Sequence, residues 1–428
     1  MKRTTSVLGL LVILGMLLAA CGGATETPEA TEAPIETEAP MQTEEAVAAV
    51  PEICSTDAGG CGVFAPGEEI VIGFAGPMSG DVSAFGIDAS QGIDLALADA
   101  GEFEGHAFVQ DAEDDQASPE VAAGVAQRLA SDPSVVAIVG HLFSGATNAA
   151  MPIYAEAYLP MMSPSATRID LTEQSNPVFN RVVGNDKFQG ALAANMIFNN
   201  LGAHTLAIIH DGGAYGLGLA QRARDVFTSL GGEVVAFQGI EVGGTDYSAV
   251  LADIAASSPE ALFFGGYTGE GAVIANQRAG AGLGGIPLIS DDGIYGTQFI
   301  DLAGANSEGV YATSAGRPAT STAVEAFDAA YLEAYGVPTG SLSPYSWYSY
   351  TAAMVLVEAI KSVGVVGGDG NLYIPRAALV AAVRSTSGYE GLIGTITCDA
   401  TGECGTGGFA PFMVQDGAWV ELPLDFAP

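Results

Sequence analysis

The chain has 428 residues, 49% of them hydrophobic, with a mean hydropathy of +0.32; this is material for two or three compact units and excludes intrinsic disorder of the whole. Thirteen Lys and Arg stand against 50 Asp and Glu, a formal net charge of -37 and a pI near 4.1, which excludes nucleic acid and anionic membrane surfaces as partners of the folded part. Five cysteines are too few for a disulfide scaffold, and the longest apolar run falls short of the ~20 residues a bilayer span needs, which excludes a multispan membrane protein.

Lys2 and Arg3 open the chain, an apolar stretch covers 7–20, and small residues lead into Cys21, so residues 1–20 read as an export signal. Leu18-Ala19-Ala20-Cys21 resembles the bacterial lipobox, which implies lipidation of Cys21 and a protein anchored to the membrane outside the cytoplasm. Acyl chains anchor because each buried methylene contributes about 0.8 kcal/mol. Residues 21–50 are Thr, Glu, Pro and Ala in low-complexity order without Lys or Arg, an extended and self-repelling acidic linker.

Residues 51–68 form a lead-in that holds Cys54 and Cys61, and a second close pair, Cys398 and Cys404, lies near the C-terminus. Four cysteines allow three connectivities; local pairing is expected, because each pair brackets a short Gly-containing loop and an exported protein meets an oxidising exterior. Zinc is not expected, since neither pair has the spacing of a zinc knuckle, and no other metal or cofactor is expected.

From Glu69 onward β-branched runs alternate with Ala-rich amphipathic stretches, the signature of an α/β fold with parallel sheets. Strands are expected over 70–73, 107–110, 135–139, 159–163, 206–210, 233–237, 261–264, 287–290 and 309–313, several as continuous apolar runs of the kind covered on both faces. Ser118-Pro119-Glu120 reads as a helix start, followed by Val121, Val125 and Leu129 on one face. A seam near 176–185 precedes a second strand-helix series opening with 186–201. Beyond Ala315 come helices over 322–335, 344–363 and 375–384, then short strands near 394–397 and 412–420.

Several motifs are set aside. Gly280, Gly282 and Gly285 have dinucleotide spacing but follow a helix and precede a strand, the reverse of the required order. Ser144 lacks the Gly of a nucleophile elbow, and the four His show no general-base spacing, so no enzyme is expected. Asp111, Glu113, Asp114 and Asp115 read as a solvated acidic loop rather than a calcium loop.

Ligands of open α/β sheets bind beyond the C-terminal strand ends. In the first series those ends carry hydroxyls at helix starts, where free N–H groups favour a carboxylate. In the second they carry Asp and Tyr, suited to an ammonium and an apolar side chain. A zwitterion between two lobes would use both.

The strings FAGPMSGDVSAFG, IVGHLFSGAT, SPSAT, IIHDGGAYGLGLA and FFGGYTGE, in this order, resemble the leucine/isoleucine/valine-binding family of ABC-transporter substrate-binding components. The resemblance implies a type I periplasmic-binding fold of two doubly wound lobes joined by three crossing segments: 69–184 with 316–405, and 185–315 with 406–428. It implies Ser144 and Thr167 on the ligand carboxylate, the Ser165 carbonyl and the Asp292 carboxylate on the ammonium, and Tyr215 and Tyr267 as contacts from lobe two. Phe85, Leu142, Phe143 and Tyr345 would shape the side-chain pocket. Asp292 replaces a Glu and Phe85 a Tyr of the best-matching members, so the side chain bound does not follow. The implied function is capture of an amino acid, branched-chain or otherwise aliphatic, and delivery to a membrane permease by a monomeric protein. The alternatives are the same fold on an amide, urea-like compound or aromatic carboxylate, and a ligand sensor.

Overall fold

The computed structural model describes residues 50–405 and 408–426. The export signal, Cys21 and residues 21–49 of the linker lie outside the described residues.

Two large sheets organise the chain. The first has six strands in the spatial order Glu102–Phe103, His106–Asp114, Ile70–Gly76, Val135–Gly140, Met161–Ser163 and Phe179–Arg181, parallel except for the hairpin at its first edge. The second has seven: Ala418–Glu421, Phe409–Gln415, Tyr311–Ala315, Leu288–Ser290, Ala261–Gly265, Thr205–His210 and Glu233–Gly239. Its first two are antiparallel additions to a parallel sheet. Val135–Gly140 and Ala261–Gly265 are buried at every position, as parallel strands are when helices cover both faces.

One face of the first sheet packs on helices Pro119–Ser131 and Ser144–Glu156 through Val125, Leu129, Met151 and Tyr154. The other packs on Ser83–Ala100 and on the three helices that follow Ala315, through Phe327, Tyr331, Leu356, Ile360 and Leu379. The chain therefore returns to the first sheet after leaving the second, and crosses back once more to add Phe409–Gln415. Ser118 caps its helix by accepting from Val121 N, as the Ser-Pro-Glu run predicts. Disulfides join Cys54 to Cys61 and Cys398 to Cys404.

Two expectations are corrected, the acidic loop and the single late strand, and two features go beyond what was expected. Residues 111–114 continue the strand His106–Asp114 instead of forming a solvated loop, and Asp115 is fully buried, paired with His141 Nδ1 at 2.8 Å. The lead-in is built into the fold, since Cys61–Phe64 pairs antiparallel with Leu372–Pro375. The single strand expected near 412–420 is a hairpin, turned at Asp416 and Gly417 with φ of 51° and 73°, and Asp-Gly is itself a hairpin signal. The helix Asp186–Asn195 ends in a π turn, Met196–Asn200.

The strand Phe179–Arg181 falls inside the sequence seam, where Asn180 and Arg181 hide it. Arg181 is fully buried because Glu403 receives its guanidinium, with Nε to Oε2 at 2.9 Å. Arg181 Nη1 also donates to the carbonyls of Ala166 and Arg168, so the pair fixes the turn that follows Met161–Ser163. Burial opposes the Glu403 charge, but the hydrogen bonds and charge of Arg181 hold its carboxyl below the ordinary range.

Candidate ligand site

The turns beyond the first sheet are held by their own polar groups. Gly140 has φ of 122°, and a Cβ there would stand 2.6 Å from the Ala75 carbonyl, so only glycine lets these two strand ends lie together. The next residue, His141, is buried, and its carbonyl accepts from Ser163 Oγ at 2.7 Å and Thr147 Oγ1 at 3.0 Å. Ser165 Oγ donates to the Leu142 carbonyl at 2.6 Å. Two turns are thereby tied into one wall, and Ser144 begins a 13-residue helix whose first N–H groups have no intrahelical acceptor. Ser144 Oγ accepts from Arg168 N at 3.3 Å.

The second wall carries acids. Asp291 accepts from Gly266 N at 3.1 Å and Gly293 N at 3.0 Å, which locks the turn after Leu288–Ser290 onto the end of Ala261–Gly265. Gly293 permits that approach: a Cβ would stand 2.1 Å from the Gly266 carbonyl. Asp292 then faces Tyr215 Oη at 2.5 Å, Tyr345 Oη and Gln189 Nε2, all donating to its carboxylate. Burial pushes the Asp292 carboxyl above its ordinary range against these three donors, and burial with the Asp292 charge pushes Asp291 well above it.

Nine of the ten residues expected at the site line one cavity of about 240 Å³ of empty space: Phe85, Leu142, Phe143, Ser144, Ser165, Tyr215, Tyr267, Asp292 and Tyr345. Phe143 and Tyr267 stack across it, 4.3 Å apart and 11° from parallel, and Phe85 meets Phe143 edge-on at 5.7 Å. Thr167 does not line this cavity. It is buried behind the wall, its carbonyl accepting from Asp186 N at 2.9 Å.

Two roles change. Tyr345, expected only to shape an apolar pocket, places its hydroxyl on Asp292. Asp292, expected to await an ammonium, is already met by three donors, and the acid without a donor is Asp186. Thr167 Oγ1 and both Asp186 oxygens are buried neighbours, and no partner meets them within hydrogen-bond geometry. Burial pushes Asp186 up to about 7, with Thr167 opposing and the Asp292 charge reinforcing the rise. Sequence reading missed Asp186 and Gln189 because they lie on the helix Asp186–Asn195 and not at a strand end. The signal was there: an Asn185 cap followed by polar residues three apart, on one helical face.

Among the described residues no group of three or more His, Cys, Asp or Glu could hold a metal ion, and no helix is long and apolar enough to cross a membrane.

Comparison with known proteins gives three findings. The family profile described as periplasmic binding protein matches residues 69–418. An amino acid binding protein of Pseudomonas aeruginosa is 32% identical over 69% of this chain and 79% of its own length, and a Leu/Ile/Val-binding protein homologue of Brucella melitensis is 27% identical over 83% and 94%. Among solved structures, a leucine-binding protein from Thermotoga maritima superposes with a TM-score of 0.75 at 28% identity, covering 83% of this chain and 98% of that one.

Proposed function

The chain belongs to the leucine/isoleucine/valine-binding family of periplasmic binding proteins, and from that premise we propose that it captures a free α-amino acid, aliphatic in its side chain, and hands it to the permease of an ABC transporter. The observation that carries the reading is the pairing of opposite walls around one small aromatic cavity. Ser144 and the first N–H groups of its helix meet the carboxylate; Asp292 answers the ammonium; Phe85, Leu142, Phe143 and Tyr267 take the side chain. Micromolar affinity needs about 8 kcal/mol, within reach of charge-assisted hydrogen bonds and one buried side chain after immobilisation costs. The role is binding, with no chemical step.

In this reading, lobe one (69–184 with 316–405) and lobe two (185–315 with 406–428) close on the ligand, and lipid on Cys21 with the acidic linker holds the monomer near its permease. A second reading has one observation in its favour: three donors already satisfy Asp292, as suits a neutral amide, a urea-like compound or an aromatic carboxylate better than an ammonium.

The test is calorimetric titration of the chain from residue 46, unfolded and refolded to strip carried ligand, with the twenty amino acids, simple amides and aromatic carboxylates. Saturable micromolar or tighter binding of an aliphatic amino acid is expected. Silence from every amino acid beside a signal from an uncharged or purely anionic compound would overturn the first reading in favour of the second.

A further inference from the structure

A second, larger cavity opens beside the ligand cavity and shares part of its lining. Phe143, Tyr215 and Tyr267 line both, and the stacked rings of Phe143 and Tyr267 stand between them. In empty space, its open mouth included, the outer cavity holds about 1250 Å³ against about 240 Å³ inside.

Its unusual feature is a pair of buried acids. Asp211 is 6% and Glu270 8% exposed. Asp211 Oδ1 accepts from Gly213 N at 2.7 Å and Glu270 Oε1 from Gly243 N at 2.8 Å. Among the described residues no donor reaches the second oxygen of either, and no Lys, Arg or His lines the cavity. Burial, reinforced by the Glu270 charge, pushes the Asp211 carboxyl up to about 6. Asp81, exposed at the rim, adds a third acid. Each acid therefore has one backbone donor and a second oxygen open to the cavity, where a cation is the partner that two neighbouring carboxylates favour. The partition toward the ligand cavity is aromatic, a surface that accepts a methylene stem and attracts the charge that follows it.

Resting on the amino-acid reading above, we propose that the outer cavity is a subsite for the cationic end of a ligand side chain, so that the ligand set includes amino acids whose aliphatic stem passes the Phe143–Tyr267 pair and whose terminal ammonium or guanidinium meets Asp211 and Glu270. The Phe143 ring turns aside to admit the stem, and it closes the partition again around a short side chain such as leucine's.

Lysine and norleucine share one stem and differ by the terminal ammonium, which makes them the probes. Titration of the refolded chain from residue 46 should show lysine bound at least as tightly as norleucine. Asp211→Asn and Glu270→Gln keep a carbonyl oxygen for Gly213 and Gly243 N–H; each should weaken lysine about 10- to 100-fold and leave leucine and norleucine within about twofold. Phe143→Ala should raise lysine affinity relative to leucine. Leucine bound while lysine and arginine are not, or variants that weaken lysine and leucine alike, would overturn the subsite and leave the amino-acid reading standing. Lysine bound without leucine would keep the subsite and correct the aliphatic reading; silence from every amino acid would remove both.

Discussion

The two walls of the ligand cavity are built from the same element, the turn that follows a buried parallel strand, yet they are chemical opposites. On the first wall the hydroxyls of Ser163 and Ser165 are consumed in tying turn to turn, and what faces the cavity is a hydroxyl at a helix start, with neither acid nor base. On the second the acids outnumber any cation: Asp291 is locked to backbone N–H groups, Asp292 is surrounded by three donors, and Asp186 lies behind the wall beside Thr167. The first wall supplies backbone dipoles that an anion satisfies; the second holds negative charge that burial has made costly. A ligand carrying both charges relieves both, and the wall of acids is the more expensive to leave unanswered.

The largest way to break that contrast is pH. Asp88 and Asp211 are raised to about 6 and Asp186 to about 7, chiefly by burial. Their folded values lie above their unfolded ones, so the fold binds more protons than the unfolded chain between about pH 4 and 7, and this contribution to stability is lost as pH rises through that window. At about 1.4 kcal/mol per unit the loss amounts to several kcal/mol. Scanning calorimetry of the ligand-free protein should give a higher Tm near pH 5 than near pH 8. Amino-acid affinity should run the other way, falling as pH drops and Asp292, raised by burial, takes up a proton; parallel slopes would remove Asp292 from the ammonium site.

Next in size, Asp292→Ala should weaken a zwitterionic ligand by about 2 to 5 kcal/mol, measured by titration calorimetry, because it removes the charge that organises Tyr215, Tyr345 and Gln189. Unchanged affinity would remove Asp292 from the ammonium site. Ser144→Ala should cost about 1 to 3 kcal/mol by the same measurement, the smaller effect because helix N–H groups remain for the carboxylate. The gentlest probe is optical. The only two tryptophans, Trp347 and Trp419, line a separate crevice reached from both sheets, and neither lines the ligand cavity. Ligand should therefore shift the emission only through movement of the walls, and Trp419→Phe should reduce the shift; a tryptophan signal that does not change at saturation would argue against closure.

The strands that show as apolar runs were legible because both of their faces are buried and nothing polar interrupts them, as in Val135–Gly140. Phe179–Arg181 was not, because its polar residues find their partners elsewhere: Arg384 Nε donates to Asn180 Oδ1 at 2.7 Å, and Glu403 neutralises Arg181 from 222 residues along the chain. The site followed the same division. Residues implied by the family resemblance gather together, and nine of the ten share a cavity. Gln189 could not be read by position, since it reaches Asp292 from a helix, and the acidic run at 111–115 misled because Asp115 is buried against His141 beyond the end of its strand.

By itself the sequence determined the alternation of strand and helix, the turn chemistry at the strand ends and the strings that identify the family, all properties carried by a few neighbouring residues. The tertiary structure decided what those residues do. It gave Tyr345 to Asp292, left Asp186 without a partner and made an ion pair of Arg181 and Glu403. Burial and hydrogen-bond satisfaction depend on groups far apart in the chain, and no local pattern records which polar atom is left over once the fold has closed.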